Sequence, residues 1–60
     1  MERKTVQLAK IKNNGIWTVV LDRSETHNKF KVYRKYDGRR KLMIKYGDYR
    51  SALLYIINYR

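Results

Sequence analysis

The chain has no cysteine and no proline, one histidine (His27), three glycines and five acidic residues among 60. Without cysteine, neither disulfides nor thiolate-bound metal can staple the fold, and a lone histidine cannot build a zinc site by itself. No apolar run approaches the ~20 residues that span a bilayer. The first ten residues, MERKTVQLAK, lack the apolar stretch of an export signal. The expectation is therefore a cytoplasmic protein with no membrane partner. The acids Glu2, Asp22, Glu25, Asp37 and Asp48 all fall at predicted ends, turns or caps, and no two are placed to act as an acid/base pair. There is no Ser-His-acid relay and no phosphate-cradling glycine loop. We expect no catalytic residue, no metal and no cofactor.

What the chain does have is charge and aromatic surface. Fifteen Lys and Arg leave a net charge of +10 on 7.4 kDa, which makes a polyanion the first partner to consider. A hydrophobic content of 43%, with six Tyr, one Trp and one Phe, is too high for a disordered chain. A domain this small buries only roughly 60% of its unfolded surface, so its core has to come from packed apolar side chains, helped if need be by a second copy.

Read in order, Met1–Lys4 is a short basic arm. Thr5–Lys12 is rich in β-branched and apolar residues and stops at the turn signal Asn13-Asn14-Gly15. Ile16–Asp22 is the most apolar strand, and Arg23–Asn28 is a polar loop. Lys29–Tyr46 reads as a hairpin broken at Asp37-Gly38, and it carries eight of the Lys/Arg residues against one acid. Gly47 ends the last strand and Asp48 is a good N-cap. In Tyr49–Tyr59, the residues Tyr49, Ala52, Leu53, Ile56 and Ile57 recur at helical spacing. Leu53–Tyr59 also suits a strand, but the cap and Ala52 favour helix. With no linker or low-complexity tract, one domain is expected: an α+β fold, ββββα, with an antiparallel four-stranded meander over residues 5–46 and a helix over 48–59 packed on one sheet face. Its expected core is Ala9, Ile11, Trp17, Val19, Leu21, Phe30, Val32, Leu42, Ile44, Leu53, Ile56 and Ile57.

Register decides which side chains share a face, because a one-residue slip exchanges the faces. A two-residue loop at Asp37-Gly38 sets Tyr33 opposite Leu42 and scatters apolar and basic residues over both faces. A three-residue loop sets Val32 opposite Leu42 and Phe30 opposite Ile44. Phe30, Val32, Leu42, Ile44 and Tyr46 then share one face, and Lys31, Tyr33, Lys35, Arg39, Lys41, Met43 and Lys45 the other. The binary pattern favours the three-residue loop. The same reasoning pairs Ile11 with Trp17 and Ala9 with Val19 in the first hairpin. It leaves Val6, Leu8, Ile16 and Val20 on the far face, more apolar than a solvated surface usually is, and a second copy is one way to cover them.

The basic face of the second hairpin is the candidate site: Lys31, Tyr33, Lys35, Arg39, Lys41 and Lys45. Lysines on a sheet face meet phosphates and release counterions, while Tyr33 or Arg39 reaches sugars or base edges, or Tyr33 stacks on single-stranded bases. The bland alternative is a solvated face whose lysines discourage edge pairing.

The segment Lys29–Ile57, with Phe30-x-Val32, Asp37-Gly38-Arg39-Arg40-Lys41, Gly47-Asp48 and Ala52-Leu53, resembles the arm-type DNA-binding domain at the N-terminus of phage and transposon integrases. The resemblance implies strand, glycine turn, strand and helix, with the face opposite the helix on DNA and the six candidate residues on that side. The chain shows no recombinase domain, so only the binding module carries over. The element order ββββα is also similar to the single-stranded-DNA-binding coactivator fold, which works as a homodimer. The expectation is a non-enzymatic nucleic-acid-binding protein of a phage or mobile element, with DNA favoured over RNA. The alternative is a small phage-type inhibitor that docks on an acidic surface of a host protein.

Overall fold

The computed structural model describes residues 4–59. Met1–Arg3 of the expected basic arm lie outside the described residues, and Lys4 is tied to the loop after the second strand, its carbonyl accepting from the Arg23 amide at 2.6 Å. Four strands, β1 (Thr5–Lys12), β2 (Ile16–Asp22), β3 (Phe30–Tyr36) and β4 (Arg39–Tyr46), precede one helix, α1 (Tyr49–Ile57). The sheet order is β1-β2-β3-β4 with every neighbour antiparallel. The chain is thus the ββββα meander expected of it, its helix on one face of the sheet.

The two hairpins turn differently. Lys12 pairs with Ile16, which leaves a three-residue loop in which Asn14 (φ 53°) and Gly15 (φ 123°) are left-handed. Gly15 is required there on two counts. An added Cβ would be strained at that φ and would meet the Lys35 carbonyl oxygen at 2.9 Å. At the second hairpin Tyr36 pairs with Arg39, and the two residues between, Asp37 (φ 53°) and Gly38 (φ 75°), are both left-handed. That is the two-residue type I′ turn for which Asp-Gly is the strongest signal, and it overturns the three-residue loop expected from the binary pattern. The pattern is satisfied instead by a bulge. Tyr33 pairs with Leu42 and Val32 with Ile44, leaving Met43 as the extra residue. The bulge returns Ile44 and Tyr46 to the helix side, where they pack with Val32 and Phe30.

A second bulge lies between Gln7 and Ala9. Beyond it Val6 pairs with Leu21, so Val6 joins the helix side rather than the far face. The expected pairs Ile11–Trp17 and Ala9–Val19 are present.

The core is small and dense. Trp17, Val19, Val32, Ala52 and Ile56 are fully buried, and Ala9, Ile11, Phe30, Met43, Ile44, Tyr46, Tyr49, Leu53, Tyr55 and Tyr59 pack around them. Three expected core residues are not there: Leu21 is half-buried outside the cluster, Leu42 is 39% exposed and Ile57 is 65% exposed. Leu42 is displaced by the bulge, which puts Met43 in its place. Ile57 lies on the outward side of a helix whose buried residues are Ala52 and Ile56.

The helix begins at a true cap. Asp48 has extended backbone, its Oδ1 accepts from the Ser51 amide at 2.8 Å, and the Ser51 hydroxyl donates to Oδ2 at 2.7 Å. From its start beside Phe30, whose ring lies 6.0 Å from that of Tyr49, the helix crosses the sheet toward the first turn. There the Asn13 side-chain amide donates to the Ile56 carbonyl at 2.8 Å, and Trp17 Nε1 donates to the Asn13 carbonyl at 2.7 Å. The Tyr59 ring closes over Trp17 at 4.7 Å between centroids.

Candidate nucleic-acid interface

On the face away from the helix, the register lines up three rows. β3 contributes Lys31, Tyr33 and Lys35; opposite them on β4 stand Lys45, Leu42 and Arg40. On the other side stand Val20, Thr18 and Ile16 of β2, followed by Gln7, Lys10 and Lys12 of β1. Among the described residues, no element covers this face. Of the six candidate residues, Lys31, Tyr33, Lys35 and Lys45 are on it.

One end of the face is electrically satisfied from within. Lys31 Nζ is 2.7 Å from Asp22 Oδ2 and 3.7 Å from Glu25 Oε1, and Lys45 Nζ is 3.5 Å from the same Glu25 oxygen. The loop after β2 is bent to bring Glu25 there. The Asp22 amide donates to the Lys29 carbonyl at 2.8 Å, and Asp22 Oδ1 accepts from the Ser24 amide and hydroxyl at 2.9 and 2.6 Å. The hydrogen bond from Lys31, followed by those from Ser24, holds the Asp22 carboxyl well below the usual carboxylate range. The same hydrogen bond pushes Lys31 above its ordinary value, against the desolvation that opposes it. Two of the expected ligand-facing lysines are therefore already paired.

The other end is open. Among the described residues, the ion pairs are those of Lys31 and Lys45, and Lys10, Lys12, Lys35 and Arg40 have none. The Arg40 guanidinium lies 4.2 Å from the centroid of the Tyr33 ring. A hollow of ≈ 300 Å³ lies between these side chains, lined by Gln7, Lys10, Ile16, Thr18, Tyr33, Lys35 and Arg40. Its chemistry is three flexible or forked cations, an aromatic ring, and neutral hydrogen-bonding groups from Thr18 and Gln7.

Arg39 and Lys41 are elsewhere, contrary to the expected face. The two-residue turn sets them on the helix side, where they line a second hollow of ≈ 300 Å³ with Arg34, Tyr36, Met43 and Tyr59. Arg34 in that group is structural. Its Nε donates to the Asn14 carbonyl at 3.0 Å, which Nη2 also contacts, and Nη1 donates to the Tyr59 hydroxyl at 3.3 Å. The guanidinium also stacks near Trp17, Tyr36 and Tyr59, 4.6–5.4 Å from their centroids.

Sequence reasoning missed Arg40, Lys10 and Lys12 as members of one cluster. The signal for Arg40 was present in Asp37-Gly38, since a type I′ turn places Arg40 opposite Lys35. The β1 lysines join only through the order of the strands.

No family model matches the chain, and neither a curated protein nor a solved structure matches it. Among the described residues no group of three or more His, Cys, Asp or Glu is placed to hold a metal ion, and no helix is long and apolar enough to cross a membrane.

Proposed function

We propose that the chain is a non-enzymatic nucleic-acid-binding module, with DNA its favoured ligand, acting through the open sheet face around Tyr33. The observation that carries this reading is the cluster of Lys10, Lys12, Lys35 and Arg40. Among the described residues these are four cations without an ion pair, on a face that no element covers. In this reading the lysines take phosphate oxygens as point charges, and Arg40 takes them as a fork. Tyr33 and the Arg40 plane above it offer bases a stacking surface. Lys31 and Lys45 fix the loop after β2 and contribute less. The preference for DNA follows from the resemblance of Lys29–Ile57 to the integrase arm-type domain, which also supports an origin in a phage or mobile element and work inside a cell.

A second reading is favoured by one observation. Ile16 (37% exposed) and Leu42 (39% exposed) lie on the same face as the cations. Apolar groups between cations suit an acidic protein surface or a second copy better than they suit phosphates.

Backbone amide shifts recorded while a short DNA is titrated in separate the two readings. Perturbations centred on Lys10, Thr18, Tyr33, Lys35 and Arg40 support the proposal. No perturbation with DNA, together with retention of a stoichiometric protein from nuclease-treated lysate, overturns it in favour of the protein partner.

A further inference from the structure

We propose that the corner of the sheet formed by the second turn and the first half of β4 enters the major groove of a DNA duplex edge-on, so that both faces of the sheet contact phosphates. This rests on the nucleic-acid reading above and adds the form of the ligand and the direction of docking.

Three observations lead to it. First, β4 is one of the two edge strands of the sheet, and every residue from Lys35 to Leu42 is exposed. Second, the helix runs from Phe30 toward Asn13 and Trp17, so it leaves this corner uncovered on its own side as well as on the open side. Third, the cations of the corner are split between the faces: Lys35 and Arg40 pair on the open side, while Arg39 and Lys41 line the hollow on the helix side. Asp37, the one acid of the segment, sits in the turn and belongs to neither row.

The dimensions agree. Paired strands lie about 4.8 Å apart. A major groove roughly 12 Å wide and 8.5 Å deep therefore admits β4 and β3 one behind the other, with a row of side chains toward each wall. Docking face-on would engage Lys10, Lys12, Lys35 and Arg40 and leave Arg39 and Lys41 in solvent. Edge-on docking keeps Lys35 and Arg40 on one wall, with Lys10 and Lys12 of the same rows toward the backbone beyond it, and adds Arg39 and Lys41 on the other. A single strand has no second wall, so the helix-side pair gains nothing from it.

The test compares the parent chain with the Arg39→Gln/Lys41→Gln and Lys35→Gln/Arg40→Gln variants on a duplex and on one of its single strands, at several salt concentrations. Edge-on docking predicts that each double variant makes the slope of log K against log salt for duplex shallower by about 0.9 per phosphate no longer neutralised. A fourfold rise in salt then costs each variant about tenfold less affinity than it costs the parent. It predicts also that Arg39→Gln/Lys41→Gln leaves single-strand binding within twofold of the parent. If that variant keeps parental duplex affinity and slope while Lys35→Gln/Arg40→Gln loses both, docking is face-on; the inference fails and the open-face reading stands. A parent that prefers single strand to duplex also overturns the inference alone. A parent with no salt-dependent binding to either overturns both. If a double variant unfolds by circular dichroism, the single substitutions give the same readout at half the slope change.

Discussion

Arg40 and Tyr33 sit diagonally across β4 and β3, and the guanidinium lies 4.2 Å from the ring centroid. The contact joins the forked guanidinium of the open face to the aromatic ring of that face. One face of the ring is thus already stacked, and a base must take the other face or the outer plane of the guanidinium.

Replacing Tyr33 by Leu should lower affinity for single-stranded DNA by the roughly 1–3 kcal/mol that one base–aromatic stack contributes, while Phe in its place keeps parental affinity. Fluorescence anisotropy with a labelled oligonucleotide measures this. A Leu variant that binds as the parent does would remove Tyr33 from the site.

The Asp22–Lys31 pair predicts a pH dependence of stability. Asp22 is depressed in the folded chain, so its contribution is complete above the ordinary carboxylate value near pH 4 and fades as the pH falls below it. Lys31 is raised, so its contribution is complete below about pH 10 and fades as the pH rises through the folded value. Asp22→Asn should therefore be less stable than the parent at neutral pH, with a gap that closes in acid. Urea melts across the acid range give the gap directly, and a gap independent of pH would contradict the assignment.

Gly15 and Gly38 are both left-handed, but only Gly15 is crowded, by the Lys35 carbonyl. Gly15→Ala should destabilise by more than about 1 kcal/mol, and by more than Gly38→Ala, which meets nothing within 4 Å. Asp37→Asn should be near neutral, because Asn-Gly forms the same turn. Chemical denaturation ranks the three, and equal losses at the two glycines would show that Lys35 gives way.

Met43 is the extra residue that brings Ile44 and Tyr46 to the core side. Deleting it should leave Ile44 opposite Val32 in a regular ladder, so the chain keeps its faces and loses only the packing of Met43. Inserting an Ala after Met43 should instead exchange the faces of Ile44, Lys45 and Tyr46 and abolish cooperative unfolding. Met43→Leu, which conserves volume, should cost less than about 1.5 kcal/mol. A cooperatively folded insertion variant would mean that β4 can slip without loss of the core.

The order and ends of the elements were readable because the local signals agreed: alternating strands, Asn-Gly and Asp-Gly turns, and a cap at Asp48 followed by Ala52. The placement of Arg39, Lys41 and Leu42 was not readable, since it depends on how the apolar phase is kept. A longer turn and a bulge at Met43 both bring Ile44 inward, and only three-dimensional packing chooses between them. The pairing of Lys31 and Lys45 was hidden for another reason. It depends on where a polar loop folds back to set Glu25, and no periodicity encodes that. The role of Arg34 rests on Asn14, Trp17 and Tyr59, groups far from it in the chain.

The most direct test of the open-face account is the salt dependence of DNA binding in the parent and in a chain with Lys10, Lys12, Lys35 and Arg40 all changed to Gln. The account predicts a steep negative slope of log K against log salt for the parent. The variant's slope should be shallower by about 0.9 for each phosphate it no longer neutralises, with its fold retained. Equal slopes for the two chains, or weak parental binding that ignores salt, would contradict it.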